Sequence, residues 1–140
     1  MQVTPGLRVL VVEDHAATAS MLAELLRLDS YEVDVALDGP TALELARAAP
    51  PDVALVDISL PGMDGHEVAR RLQVQAKAGE KRPLLIAITG NAQEEYRIRS
   101  AEAGLDLHLI KPVQLDELRQ LLRRFEGIIR PGGAPPDDGA

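Results

Sequence analysis

Five short apolar runs punctuate the chain, at residues 7–12, 33–37, 53–56, 84–88 and 105–110. Between them the apolar positions change period. Met21, Leu22, Leu25, Leu26 and Leu28 make one helical stripe, Leu43, Leu45 and Ala46 a second, and Val68, Leu72 and Ala76 recur every fourth residue. Leu115, Leu118, Leu121, Leu122 and Phe125 form the clearest amphipathic helix. Punctuation agrees: Gly39-Pro40 opens a helix, Pro50-Pro51 closes it, and Gly104 ends another. Residues 91–103 have the weakest pattern. Glu94, Glu95, Arg97, Arg99 and Glu102 crowd them, and they read as an exposed, loosely packed helix.

Runs and stripes alternate five times, which predicts an α/β fold with a parallel sheet wrapped by helices on both faces. The first, third and fourth runs are dominated by Val, Leu and Ile, as expected of strands covered on both sides. At 140 residues there is room for one core, taken here as 7–126. Residues 1–6 read as an N-terminal extension. The Pro- and Gly-rich segment 127–140 buries too little to fold and is expected to be disordered. The chain leaves no room for an output domain.

Composition narrows the function classes. With no Cys, disulfide frameworks, thiolate zinc sites and thiol nucleophiles are excluded. Two Tyr, one Phe and no Trp leave little for stacking on bases or sugars. The net charge of −7 disfavours broad binding to nucleic acid or anionic lipid. No apolar run is long enough for a membrane span or a signal segment, so neither membrane insertion nor export is expected and the default location is cytoplasmic.

In an open parallel sheet, ligands bind beyond the carboxyl ends of the strands. Glu13-Asp14 follows the first run, Asp57 the third, Thr89-Gly90 the fourth and Lys111-Pro112 the fifth; the second ends in the turn dipeptide Asp38-Gly39. One rim therefore collects three carboxylates, a hydroxyl and an ammonium. A divalent cation would bring Glu13, Asp14, Asp57 and Lys111 to neutrality, and an all-oxygen set suits Mg²⁺ or Mn²⁺. Without metal, the clustered acids should push at least one pKa upward. Asp57, on a central strand, is best placed as a nucleophile toward phosphorus. Lys111 and Thr89 would offset charge on the phosphoryl oxygens.

On these residues the chain resembles the receiver domains of two-component response regulators. The resemblance covers residues 7–125, nearly everything outside the two ends. It is carried by Val9-Leu10-Val11-Val12-Glu13-Asp14, Leu55-Val56-Asp57-Ile58-Ser59-Leu60-Pro61-Gly62-Met63-Asp64-Gly65, Ile88-Thr89-Gly90 and Ile110-Lys111-Pro112, in that order and spacing. It implies a doubly wound three-layer fold of strand order 2-1-3-4-5, with 7–126 as the receiver domain. It also implies phosphoryl transfer to Asp57 from a histidine kinase or histidine phosphotransfer protein. Glu13, Asp14, Asp57 and the backbone carbonyl of Ser59 would hold the metal. Thr89 would be the switch hydroxyl and Lys111 the cation on the phosphate. Phosphorylation takes a −1 carboxylate to about −2. Thr89 and Lys111 would absorb the difference, altering the face made by 91–103, the fifth strand and the last helix, a surface for partner binding or homodimerisation. Such a domain promotes its own phosphorylation and dephosphorylation and is not a turnover enzyme.

His108 departs from the commonest family pattern, which has Tyr or Phe three residues before the lysine; such a His resembles what receivers of hybrid histidine kinases often carry. It reads either as a surface residue at a strand end or as a group that rotates toward Thr89. His15 reads as a helix-start surface residue and His66 as a solvent-exposed one. Asp64-Gly65 is a turn and helix start. Ser59 and Asn91, two residues beyond Asp57 and Thr89, flank the path of attacking water; the resemblance makes them tuners of phosphate lifetime.

Three other functions compete. A phosphatase of the haloacid-dehalogenase type wants a second Asp two residues after the nucleophile, where this chain has Ser59. A dinucleotide or flavin carrier needs a Gly-rich first turn, where Glu13-Asp14-His15 offers anions. A degenerate receiver acting only as a docking module would lack acids that are all present. Of the negative charges, Glu13, Asp14 and Asp57 belong to the pocket, and Asp137 and Asp138 to the tail. The expectation of no direct nucleic-acid contact therefore rests on the missing output domain more than on net charge.

Overall fold

The structure is a computed structural model and describes residues 7–58, 65–76, 82–89 and 105–129. β1 (Arg8–Val12), β2 (Glu32–Ala36), β3 (Val53–Asp57), β4 (Leu84–Thr89) and β5 (Leu107–Ile110) form one parallel sheet of order β2-β1-β3-β4-β5. This is the order implied by the family resemblance. The three inner strands are buried almost throughout, whereas β2 and β5 are only partly so, which follows from their places at the edges.

α1 (Ala16–Leu28) connects β1 to β2, α2 (Gly39–Ala48) connects β2 to β3, and α3 (Gly65–Gln75) follows β3. The chain steps from β1 to β2 on one side and then back across to β3. Right-handed crossovers in opposite directions place α1 and α2 on opposite faces of the sheet. On the α2–α3 face, Leu10, Val12, Ala54, Val56, Leu85 and Ala87 pack with Ala42, Ala46, Val68, Ala69 and Leu72. Alternation along each strand sends Val9, Val11, Leu55, Ile86 and Ile88, also buried, to the opposite face.

The helix faces differ from the predicted stripes. In α1 the buried residues are Ala19, Leu22, Ala23 and Leu26, while Met21 and Leu28 are 54% and 76% exposed. In α2 the buried positions are Gly39, Ala42 and Ala46, and Leu43 and Leu45 only flank the cluster. Small residues share the buried face with Leu22 and Leu26 in α1 and make up the buried face of α2. α3 buries Val68 and Leu72 as expected, with Ala76 just beyond its end.

Each helix start has a local cause. Asp38 caps α2 by accepting from the Thr41 N–H at 2.8 Å, and hydrogen bonds from Thr41 hold its carboxyl below the usual aspartate range. α1 ends in a left-handed turn: Ser30 has φ 73°, and the Tyr31 N–H returns to the Leu26 carbonyl at 3.3 Å. A serine there is strained where glycine is not. Ser30→Gly should therefore raise stability by about 0.5–1 kcal/mol, read from urea unfolding midpoints at unchanged slope.

The described residues divide into two compact units, one ending at Lys111 and one beginning at Pro112. The described element of the second is α4 (Leu115–Ile129). Leu118 and Leu122 are buried and Leu115, Leu121 and Phe125 half-buried, matching the predicted stripe. The helix runs three residues beyond the boundary expected at 126 and includes Gly127, around which there is open space. Propagation costs little once a helix is nucleated, so a single glycine does not end it. The expected helix at 91–103 and its stop at Gly104 lie outside the described residues.

Candidate functional site

The functional side chains stand where apolar strands run out, and each is set by backbone bonds to a neighbouring strand. Glu13 directly follows β1, and its N–H bonds the Ala36 carbonyl at the end of β2 at 3.0 Å. Asp57 is the last residue of β3 and pairs in register with Ile88. Thr89 ends β4, and its carbonyl accepts from the Lys111 N–H at 2.8 Å. That bond fixes where Lys111 leaves β5. Glu13, Asp57 and Thr89 are buried at 3%, 2% and 2% exposure, while Asp14 is exposed at the mouth.

The groups converge. Lys111 Nζ donates to Asp57 Oδ2 at 3.1 Å. One carboxylate oxygen from each of Glu13, Asp14 and Asp57 lies within 4.8 Å of the others. Burial raises the Glu13 pKa. The His15 N–H, donating to Glu13 Oε2 at 3.0 Å, partly offsets this, and the charge of Asp57 adds to the rise. For Lys111, burial alone would lower the pKa, but the hydrogen bond and charge of Asp57, with Glu13 and Asp14 beyond, outweigh it and leave it raised. The expected upward push on one clustered acid therefore falls on Glu13.

A buried anionic cluster of this kind is a poor place for charge unless cations complete it. The single ammonium of Lys111 answers only part of it. Three hard carboxylate oxygens, two of them from buried residues and one from the open rim, fit a hard divalent cation.

His15 caps α1, its Nδ1 accepting from the Thr18 N–H, in keeping with the helix-start reading. His108 is exposed on β5, opposite Ala87. His66 corrects the expectation of a solvent-exposed residue, since it is buried at 3% exposure in the first turn of α3. The Gly65 N–H at the start of that turn donates to the Ile58 carbonyl at 3.1 Å. The Ser59 carbonyl, Asp64 and Asn91 lie outside the described residues. Asp64-Gly65 reads as a turn and helix start in the sequence, and α3 does begin at Gly65. The close contact that this glycine makes with β3 has no sequence signal beyond a glycine directly before an amphipathic stripe.

The family profile of the response regulator receiver domain matches residues 9–123. The chain belongs to this family. Among relatives of the receiver, response regulator MprA of Mycolicibacterium vanbaalenii is 36% identical over 133 residues, 95% of this chain and 54% of the relative. Among solved structures, the receiver domain of sensor histidine kinase PA1611 from Pseudomonas aeruginosa is 33% identical with a TM-score of 0.76. It covers 87% of this chain and 98% of that one, and has a magnesium ion coordinated in its active site cleft. Chemotaxis protein CheY4 of Vibrio cholerae is 28% identical with a TM-score of 0.79, over 86% of this chain and 98% of that one. The chain spans about half the length of the curated relatives it matches. Among the described residues of this receiver, no helix is long and apolar enough to cross a membrane.

Proposed function

We propose that Asp57 is the phosphoryl acceptor of this receiver and that Glu13, Asp14 and Asp57, with the Ser59 carbonyl, hold the divalent cation. The observation that carries the reading is the buried Asp57 carboxylate, held at 3.1 Å by Lys111 inside a three-carboxylate cluster. The donor set suits Mg²⁺, with Mn²⁺ an acceptable substitute. When bound, the cation supplies positive charge to the phosphoryl oxygens.

The chain's own groups do the rest. An Asp57 carboxylate oxygen attacks phosphorus; the bond from phosphorus to the imidazole nitrogen of a partner's phosphohistidine breaks, and the imidazole, already protonated on its other ring nitrogen, leaves neutral. The product is an acyl phosphate on Asp57. In the free receiver Lys111 holds the carboxylate in place. In the transfer it turns its ammonium to the incoming phosphoryl oxygens, where charge is greatest. The Thr89 hydroxyl donates to the same oxygens in the phosphorylated state, and His108 follows Thr89 inward as the outer surface changes. The donors are a histidine kinase or a histidine phosphotransfer protein, acting in the cytoplasm. The receiver consumes one phosphoryl group per switching event and turns over no external substrate.

Incubation with acetyl phosphate and Mg²⁺, borohydride reduction and peptide mass spectrometry test the reading. The expected result is a single reduced residue at position 57. Reduction at another acid would move the acceptor.

A further inference from the structure

Gly65, the first residue of α3, comes closer to the acceptor strand than a side chain permits. A Cβ at this position would stand 2.4 Å from the Asp57 carbonyl oxygen, 2.7 Å from Ile58 Cα and 3.0 Å from the Asp57 carbonyl carbon. All three are backbone atoms, so no rotamer change relieves the contact. Ordinary contact begins at 3.4 Å, and helix and strand would have to part by about 1 Å.

The two partners in this contact are unequally anchored. α3 is held by buried Val68, Ala69 and Leu72. β3 is paired with both β1 and β4 as far as Val56, but the β1 register ends there, at Val12↔Val56. Asp57 is paired with β4 alone, and Ile58 is tied by its N–H to the Ile88 carbonyl at 3.0 Å and by its carbonyl to the Gly65 N–H. The element that gives is therefore the end of β3, and with it the acceptor.

We propose that Gly65 is a positioning residue for phosphoryl transfer: having no side chain, it lets α3 bear directly on the Asp57 backbone and so sets where the acceptor carboxylate stands relative to Glu13 and Lys111. The proposal rests on Asp57 being the acceptor. A displacement of about 1 Å takes the 3.1 Å contact between Lys111 and Asp57 out of hydrogen-bond range. Misplacement on that scale is enough to slow an in-line reaction by one to two orders of magnitude.

The test compares wild type, Gly65→Ala, Leu72→Val and Asp57→Asn. Leu72→Val makes a small cavity two turns further along the same helix and serves as a control for lost stability alone. Each protein is read for folded fraction by circular dichroism and for the Asp57 carboxyl carbon resonance without metal. The initial rate of labelling by acetyl phosphate at saturating Mg²⁺ is then taken per folded molecule. Gly65→Ala should label at least about tenfold more slowly, with a displaced Asp57 resonance already in the metal-free protein. Leu72→Val should lose stability while keeping the wild-type rate and resonance. If Gly65→Ala is unfolded in buffer, trimethylamine N-oxide is added to all four samples to restore it. A wild-type rate and resonance in folded Gly65→Ala would mean that the helix yields instead, and would overturn the proposal. Labelling of Asp57→Asn would instead overturn the acceptor reading itself, whatever Gly65→Ala does.

Discussion

Asp57→Asn should reduce labelling by acetyl phosphate and Mg²⁺ below detection, a loss of at least about a thousandfold. The substitution keeps the shape of a side chain that is 2% exposed, so the surrounding packing of Val56, Ile58 and Ile88 has no reason to change. What it removes is the anionic oxygen that attacks phosphorus. Glu13 does not take over. It is buried, and the ammonium of Lys111 donates to the position-57 side chain rather than to it. Asp14 is exposed and lies on the rim, without the ammonium that stands beside Asp57. The same variant has a second readout that needs no phosphodonor. Since the charge of Asp57 contributes to the raised pKa of Glu13, its removal should move the Glu13 titration downward, toward the ordinary glutamate range. Carbon NMR of the side-chain carboxyls measures this directly. Unchanged labelling would relocate the acceptor, while an unmoved Glu13 would mean that the two acids are electrostatically independent.

The parts of this site that sequence revealed share one physical feature. Glu13, Asp57, Thr89 and Lys111 each interrupt or end a run of apolar residues, and a polar group directly after a buried strand has few places to go except the strand-end rim. Topology then brings the rims together, and the order β2-β1-β3-β4-β5 puts Glu13, Asp57 and Thr89 on three adjacent strands. Helix faces were less legible. Ala19, Ala23, Ala42 and Ala46 carry little hydrophobic signal, yet they line the buried faces because they let the helix backbone approach the sheet. The large residues Met21 and Leu28 gave the stronger pattern and are exposed. The close approach of Gly65 escaped for a related reason: its surroundings come from the end of β3, a segment adjacent in space that periodicity along α3 does not report. Burial at a helix start is decided by what the helix rests on.

Glu13→Gln should reverse the stability order of the receiver depending on metal. The folded-state pKa of Glu13 is raised, so its contribution to stability is fully present below the unfolded glutamate value and is lost as pH rises through the folded one. At neutral pH without metal, the charged Glu13 therefore weakens the fold, chiefly because burial strips its solvation and secondarily because Asp57 shares its sign. Glutamine keeps a carbonyl oxygen to accept the His15 N–H but carries no charge. Metal-free Glu13→Gln should thus unfold at higher urea than wild type at pH about 7, with the advantage shrinking toward pH about 4, below the ordinary glutamate value. Saturating Mg²⁺ should invert the order. A ligand that binds only the folded state stabilises by about 2.7 kcal/mol at a hundred times its dissociation constant, and the variant offers it one carboxylate fewer. Urea titrations with EDTA or excess Mg²⁺, at both pH values, supply all four comparisons. A variant that gains as much from Mg²⁺ as wild type would remove Glu13 from the metal set. A metal-free variant no more stable than wild type at neutral pH would mean that the buried charge is already compensated by Lys111, which holds Asp57 at 3.1 Å and adds its own attraction to Glu13. The buried carboxylate whose charge weakens the fold without metal is, on this reading, one that the bound cation needs.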